Sequence, residues 1–155
     1  MKLPRVEFLK NCHIPNTKGL QEYENKRPLF LLESDFCVLI NGKVHIIPAG
    51  FKYDHASVPR GLWNTFPPYD PLYAGAACLH DWCYAGEFFP RKFADQLFLS
   101  AMCFTGVPKW KRNLMYTAVR IGGAFTYKKH TIKTVMEVRE LSGITEKKRP
   151  LWKAA

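Results

Sequence analysis

Two runs rich in β-branched and aromatic side chains, Phe36-Cys37-Val38-Leu39-Ile40 and Lys43-Val44-His45-Ile46-Ile47, are joined by Asn41-Gly42 alone. Asn-Gly supplies the two positive φ angles of a type I′ turn, so the pattern predicts a β-hairpin over about 36–47. The short apolar run at 29–32 is expected to pair with the hairpin strands after it. Residues 1–28 show no sustained period and carry Pro4, Pro15, Asn16 and Gly19, so they read as an irregular segment with one short strand near 6–9. Pro48-Ala49-Gly50 ends the hairpin, residues 51–60 read as an ordered loop, and a helical turn is expected over 61–65.

From Asp70 onward the punctuation is that of helices. Asp70-Pro71 is an N-cap followed by proline at the first helical position, and Gly86 stands where that helix should end. Pro90 opens a second helix to about Thr105 with Gly106 as its stop, and Pro108 opens a third to about Tyr127. All three are apolar on one broad face. The expected architecture is α+β: a small antiparallel sheet centred on the hairpin, packed against a three-helix layer over about 71–127. A single domain over 29–130 follows, with 131–155 as a basic extension that carries a short helix over 135–141. Gly122-Gly123 in the third helix predicts close approach of another group or a kink.

The chain has 155 residues, 47% of them hydrophobic and 14% aromatic, enough for one domain with a core and too much burial for wholesale disorder. No stretch reaches the roughly 18 apolar residues of a spanning helix, and the N-terminus lacks an apolar signal core. The expectation is a protein without a transmembrane segment or signal peptide. Cys12, Cys37, Cys78, Cys83 and Cys103 lack metal-knuckle spacing and read as reduced, mostly buried thiols. The formal charge is +10. Residues 1–77 carry 9 basic and 7 acidic side chains against 14 and 6 in 78–155, so the excess sits in the second half. Such a face suits an anionic lipid surface or a partner protein; no motif for sequence-specific nucleic-acid binding accompanies it.

The candidate chemistry lies in Cys78-Leu79-His80-Asp81-Trp82-Cys83-Tyr84 and Phe93-Ala94-Asp95-Gln96-Leu97-Phe98. A His-Asp pair inside an apolar helical run, with a second acid on the next helix, is costly to bury without a purpose. His80 and Tyr84 share one helix face, and Arg91, Asp95 and Leu99 share a stripe on the next. An antiparallel connection would bring Asp95 to His80, fixing the imidazole while His80 takes a proton from water. Asp81, with Asp54 or loop oxygens, would be left to hold a divalent cation. Calcium or magnesium would suit an all-oxygen site, and zinc, manganese or iron one that His80 ligates.

The string from Cys78 to Tyr84 resembles the active-site helix of calcium-dependent secretory phospholipase A enzymes over about 71–105. That resemblance implies His80 as the base for water, Asp81 as a calcium ligand and Asp95 as the acid orienting the histidine. The family's glycine-rich calcium loop and disulfide framework have no counterpart here. A broader resemblance, over about 30–125, is to an uncharacterised domain family common in bacteriophage and prophage genomes. It is carried by Gly50-Phe51-Lys52-Tyr53-Asp54-His55-Ala56-Ser57-Val58-Pro59-Arg60, by His80-Asp81-Trp82-Cys83-Tyr84, by residues 91–98 and by Tyr116-Thr117-Ala118-Val119-Arg120-Ile121-Gly122. It implies a phage origin, synthesis in the host cytoplasm and convergence of Asp54, Ser57, His80, Asp81, Tyr84 and Asp95.

Blander readings stand beside these. His80 and Asp81 can form a structural polar knot with Asp95 and Arg60 or Arg91. Asp54 and Ser57 can be turn caps. A Ser57-His80-Asp95 triad fits by residue type but lacks a nucleophile elbow. The functional expectation is a phage-encoded hydrolase with His80, Asp95, Tyr84 and Ser57 as catalytic candidates and Asp81 and Asp54 as cation ligands, acting on an ester, including a lipid ester. The alternative is a virion or assembly component whose His/Asp cluster is structural and whose basic face binds another phage protein.

Overall fold

The computed structural model describes residues 2–9, 14–24, 27–54, 64–67, 69–129 and 132–143. In chain order the strands are Val6–Phe8 (β1), Thr17–Glu24 (β2), Arg27–Leu32 (β3), Phe36–Ile40 (β4), Lys43–Ile47 (β5) and Lys52–Tyr53 (β6). The helices are Pro71–Gly86 (α1), Arg91–Phe104 (α2), Lys109–Lys129 (α3) and Ile132–Leu141 (α4). The class is α+β, as the pattern predicts, with small antiparallel sheets beside a helical layer.

The predicted hairpin is β4–β5, with Ile40 opposite Lys43 and both Asn41 and Gly42 at positive φ (51° and 81°). β1 adds to its other side, and the turn locks it: Asn41 Oδ1 accepts from the Arg5 amide, and the Asn41 amide donates to the Arg5 carbonyl, both at 2.9 Å. Alternation places Val6, Phe8, Phe36, Val38, Ile40 and Ile47 in the core.

Two expectations need correction. Residues 1–28 contain β2 as well as the short strand near 6–9, and the run at 29–32 pairs backwards with β2 and outwards with β6, not with the hairpin. The described residues accordingly form two three-stranded sheets, β1-β4-β5 and β2-β3-β6. β2 is an edge strand with a register irregularity between Gly19 and Tyr23, so it needs no clean apolar alternation, which is the signal a sequence offers. The chain returns beside β3 through Gly50 at φ 90°, where the Gly50 amide bonds the Leu32 carbonyl and the Leu32 amide the Phe51 carbonyl. The turn expected over 61–65 lies largely outside the described residues.

The helical punctuation holds at α1's start: Asp70 is extended and its side chain accepts from the Leu72 amide at 2.9 Å, with Pro71 next. At its other end the cap is Glu87 in the left-handed region, not Gly86. Gly86 is the last helical residue, where the sequence places the helix end, and a β-carbon there would run into the Phe88 ring. The fourth helix matches the one expected in the tail. Arg139 on α4 donates to the carbonyls of Gly86 (2.7 Å) and Glu87 (3.0 Å), giving α1's terminal carbonyls a buried cationic partner. Trp82 Nε1 bonds Ser142 Oγ at 3.0 Å on the same side. Cys37, Cys78, Cys83 and Cys103 are free thiols, with Cys78 and Cys83 buried.

Candidate functional site

α1 and α2 run side by side, joined by a short turn, and the polar residues of their shared face meet in the core. His80 Nε2 lies 3.0 Å from Asp95 Oδ1, and Tyr84 Oη, one turn along α1, donates to the same oxygen at 2.5 Å. The approach of Asp95 to His80 expected from helix spacing is thus present. Oδ2 of Asp95 faces two cations: Arg120 on α3 donates to it at 2.6 Å, and Arg91 lies at 3.6 Å. Arg91 also donates to the Arg120 backbone carbonyl at 3.0 Å, which ties α2 to α3 beside Asp95.

Asp95 has no solvent exposure, and a lone buried carboxylate would stay protonated. Burial does push its carboxyl up, but hydrogen bonds from His80, Tyr84 and Arg120 outweigh burial and hold it below the usual carboxylate value. An ionised carboxylate only accepts, so Nε2 of His80 carries the hydrogen and Nδ1 of the neutral ring holds the lone pair. The imidazole is further set by the rings of Tyr84 and Phe98, at centroid distances of 4.2 and 4.9 Å.

Nδ1 faces the other acid. Asp81 Oδ1 is 3.9 Å from it, beyond hydrogen-bonding reach yet close enough to favour the imidazolium. Burial pulls the His80 pKa down, and Asp81 and Asp95 together more than offset it, leaving it above 6.5. Asp81 also faces Tyr53 of β6 and the thiols of Cys78 and Cys83. Burial first, and the Asp81 charge second or later, push all three groups up and keep their protons on.

Tyr84 is held from a third direction. Gly123 of α3 lies against it so closely that a β-carbon would meet its hydroxyl, with Cζ at 3.2 Å. The close approach expected of Gly122-Gly123 is therefore real at Gly123, while Gly122 faces open space.

Of the expected site residues, His80, Tyr84, Asp95 and Asp81 converge. Asp54 is half-buried directly after β6, next to Tyr53, and Ser57, like His55 and Arg60, lies outside the described residues. Sequence reasoning missed Arg120 as a charged partner of Asp95, and Tyr53 as the neighbour of Asp81. The signal for Arg120 was its place in the Tyr116 to Gly122 string; Tyr53 had a signal only as part of the Gly50 to Arg60 loop.

Among the described residues, no group of three or more His, Cys, Asp or Glu side chains is arranged to hold a metal ion. Asp81's protonated phenol and thiol neighbours do not form an oxygen cage for a hard cation. The described residues thus do not fit the calcium that the phospholipase resemblance implies, and no step of the proposed reaction runs through a metal.

Residues 30–119 match the family model described as "Protein of unknown function (DUF1353)". The chain belongs to this family. His80, Asp81, Tyr84 and Asp95 fall inside the DUF1353 match, and Arg120 directly follows it. The chain is also similar to the uncharacterized protein y4jT of Sinorhizobium fredii, 34% identical over 99 residues, which is 63% of this chain and 30% of that protein. The matched segment thus spans under a third of the relative's length. No solved structure matches the chain. Among the described residues, no helix is long and apolar enough to cross a membrane.

Proposed function

We propose that the DUF1353 domain of this chain is a hydrolase in which His80 activates water for attack on an ester. The observation that carries this reading is the division of labour around one ring: Nε2 is tied to a buried carboxylate that is kept ionised, and Nδ1 points away from it towards Asp81. An imidazole fixed in tautomer and orientation by a carboxylate is the arrangement general-base catalysis needs.

In the reaction, Nδ1 takes a proton from water as its oxygen attacks the ester carbonyl carbon. The tetrahedral intermediate collapses with cleavage of the carbon–oxygen bond, and the imidazolium returns the proton to the departing alkoxide, giving an acid and an alcohol. Asp95 stays anionic throughout, because Arg120 and Tyr84 hold its charge in place. Tyr84 acts on the substrate only through Asp95 and is therefore a positioning residue. The resemblance of residues 78–84 to the phospholipase helix supports an ester in a lipid as the substrate, and the broader resemblance supports a phage setting.

The test is release of fatty acid from liposomes and of alcohol from short-chain esters, with calcium, manganese or a chelator present, for the wild type and His80→Gln. Turnover that disappears in a variant with an unchanged far-UV spectrum and melting point establishes His80 as the base. An increase with calcium would bring Asp81 and Asp54 back as cation ligands. Absence of turnover in every condition, with His80→Gln strongly destabilised, would leave the cluster as a structural clamp and favour the virion-component reading.

A further inference from the structure

The outward side of α3 carries an apolar stripe. Trp110, Leu114 and Ile121 follow helical spacing and line up on one face, where they are 60%, 53% and 72% exposed. The stripe lies opposite Met115, Val119 and Gly123, the side by which α3 packs on the domain. Trp110 leans edge-on against Phe66 at 6.1 Å between centroids yet leaves most of its indole exposed, and large apolar groups aligned this way are a recognition feature rather than scattered surface residues.

The charge around the stripe says what it fits. α3 reads KWKRNLMYTAVRIGGAFTYKK, with six Lys or Arg and no acidic residue. Arg120 is neutralised by Asp95 and Lys111 by Asp70, both within the domain. Lys109 stands exposed at the start of the helix, beside Trp110. A second copy would set two cationic helices against each other, which disfavours self-association. Protein interfaces are enriched in arginine and depleted in lysine, whereas lysine flanking an apolar face with tryptophan suits a lipid surface, where its stem can stay apolar and its ammonium reach the phosphates.

We propose that α3 docks the domain on an anionic membrane surface, with Trp110, Leu114 and Ile121 in the boundary between headgroups and acyl chains and Lys109 on lipid phosphates. The site is distinct from the His80 cluster, and binding is read without any turnover.

The test is co-sedimentation of the full chain with phosphatidylcholine vesicles, with and without phosphatidylglycerol. The expected result is pelleting with phosphatidylglycerol vesicles only, weakened by salt. Leu114→Gln/Ile121→Gln, both on exposed positions, lowers the partition coefficient at least about tenfold through lost apolar burial, with the thermal midpoint unchanged. Lys109→Glu lowers it further in vesicles containing phosphatidylglycerol. Three results would overturn the proposal: no pelleting of the wild type, equal pelleting with both vesicle types, or a double variant that binds as the wild type does. A wild-type dimer that the double variant converts to monomer would overturn it too, assigning the stripe to a second copy.

Discussion

The Tyr84 ring occupies the space that a side chain at Gly123 would need. That pairing sets the separation of α1 and α3, and with it the reach of Arg120, three residues before Gly123, to Asp95. Alanine is ordinarily favoured over glycine inside a helix by about 1 kcal/mol. Here Gly123→Ala is expected to reverse that sign and destabilise by about 1–3 kcal/mol through overpacking. Urea denaturation checks it; the companion Tyr84→Leu/Gly123→Ala should recover part of the loss relative to Tyr84→Leu alone, since the clash is then gone.

Asp95→Asn removes the charge that three buried or half-buried donors share. The expected cost is about 3–5 kcal/mol, because Arg120 and His80 keep their desolvation without their partner. The same change should lower the His80 pKa, which proton NMR of the imidazole reports directly. A His80 titration that stays put in a folded Asp95→Asn protein would mean that Asp95 does not set the ring's charge.

The pH dependence has opposite signs for stability and for turnover. His80 is raised in the folded state, so its contribution to stability is fully present below the unfolded value of 6.5 and is lost as pH rises through the folded pKa. Asp95 is lowered from 3.8, so its contribution is present above that value and is lost as pH falls through the folded pKa. Hydrolysis requires the neutral ring, so kcat/KM should climb with pH above 6.5 and level off once His80 is deprotonated. Turnover and thermal midpoint measured across one pH series check both signs, and a kcat/KM that falls over that range would remove His80 as a base.

Arg139→Met keeps most of the side chain's apolar length and removes its hydrogen bonds to the carbonyls of Gly86 and Glu87. Bonds from a charged donor to buried carbonyls are each worth about 1.5–3 kcal/mol, so a loss of at least that size is expected by urea denaturation. Hydrogen exchange should show the loosening first in the last turn of α1.

Much of this architecture could be read from local chemistry. Asn41-Gly42 allows little besides a tight hairpin turn, and Asp70-Pro71 declares a helix start whatever lies around it. The His80 to Asp95 contact followed from helix periodicity together with a connection too short for anything but an antiparallel return. What escaped was decided by distant partners. Thr17–Glu24 has no apolar alternation, and it is a strand through its backbone pairing with β3, which no side-chain pattern announces. Arg120 is one of six cations on a helix without an acidic residue, and its place in the Tyr116 to Gly122 string did not by itself point to Asp95. α1 ends at Gly86 as expected, but its left-handed cap fell on Glu87 instead of a glycine, a choice no local signal announces.

Arg120, Arg139 and Ser142 all lie past residue 119, where the family match ends, and Arg5 lies well before residue 30, where it begins. A fragment cut to the matched limits would therefore keep His80, Tyr84 and Asp95 while discarding the counter-ion, the cap on α1's carbonyls and the strand that locks the hairpin turn. Trimming this chain by the span of the family match would leave the reactive groups intact and remove much of what holds them buried. For this chain, useful fragments should run from β1 through Ser142.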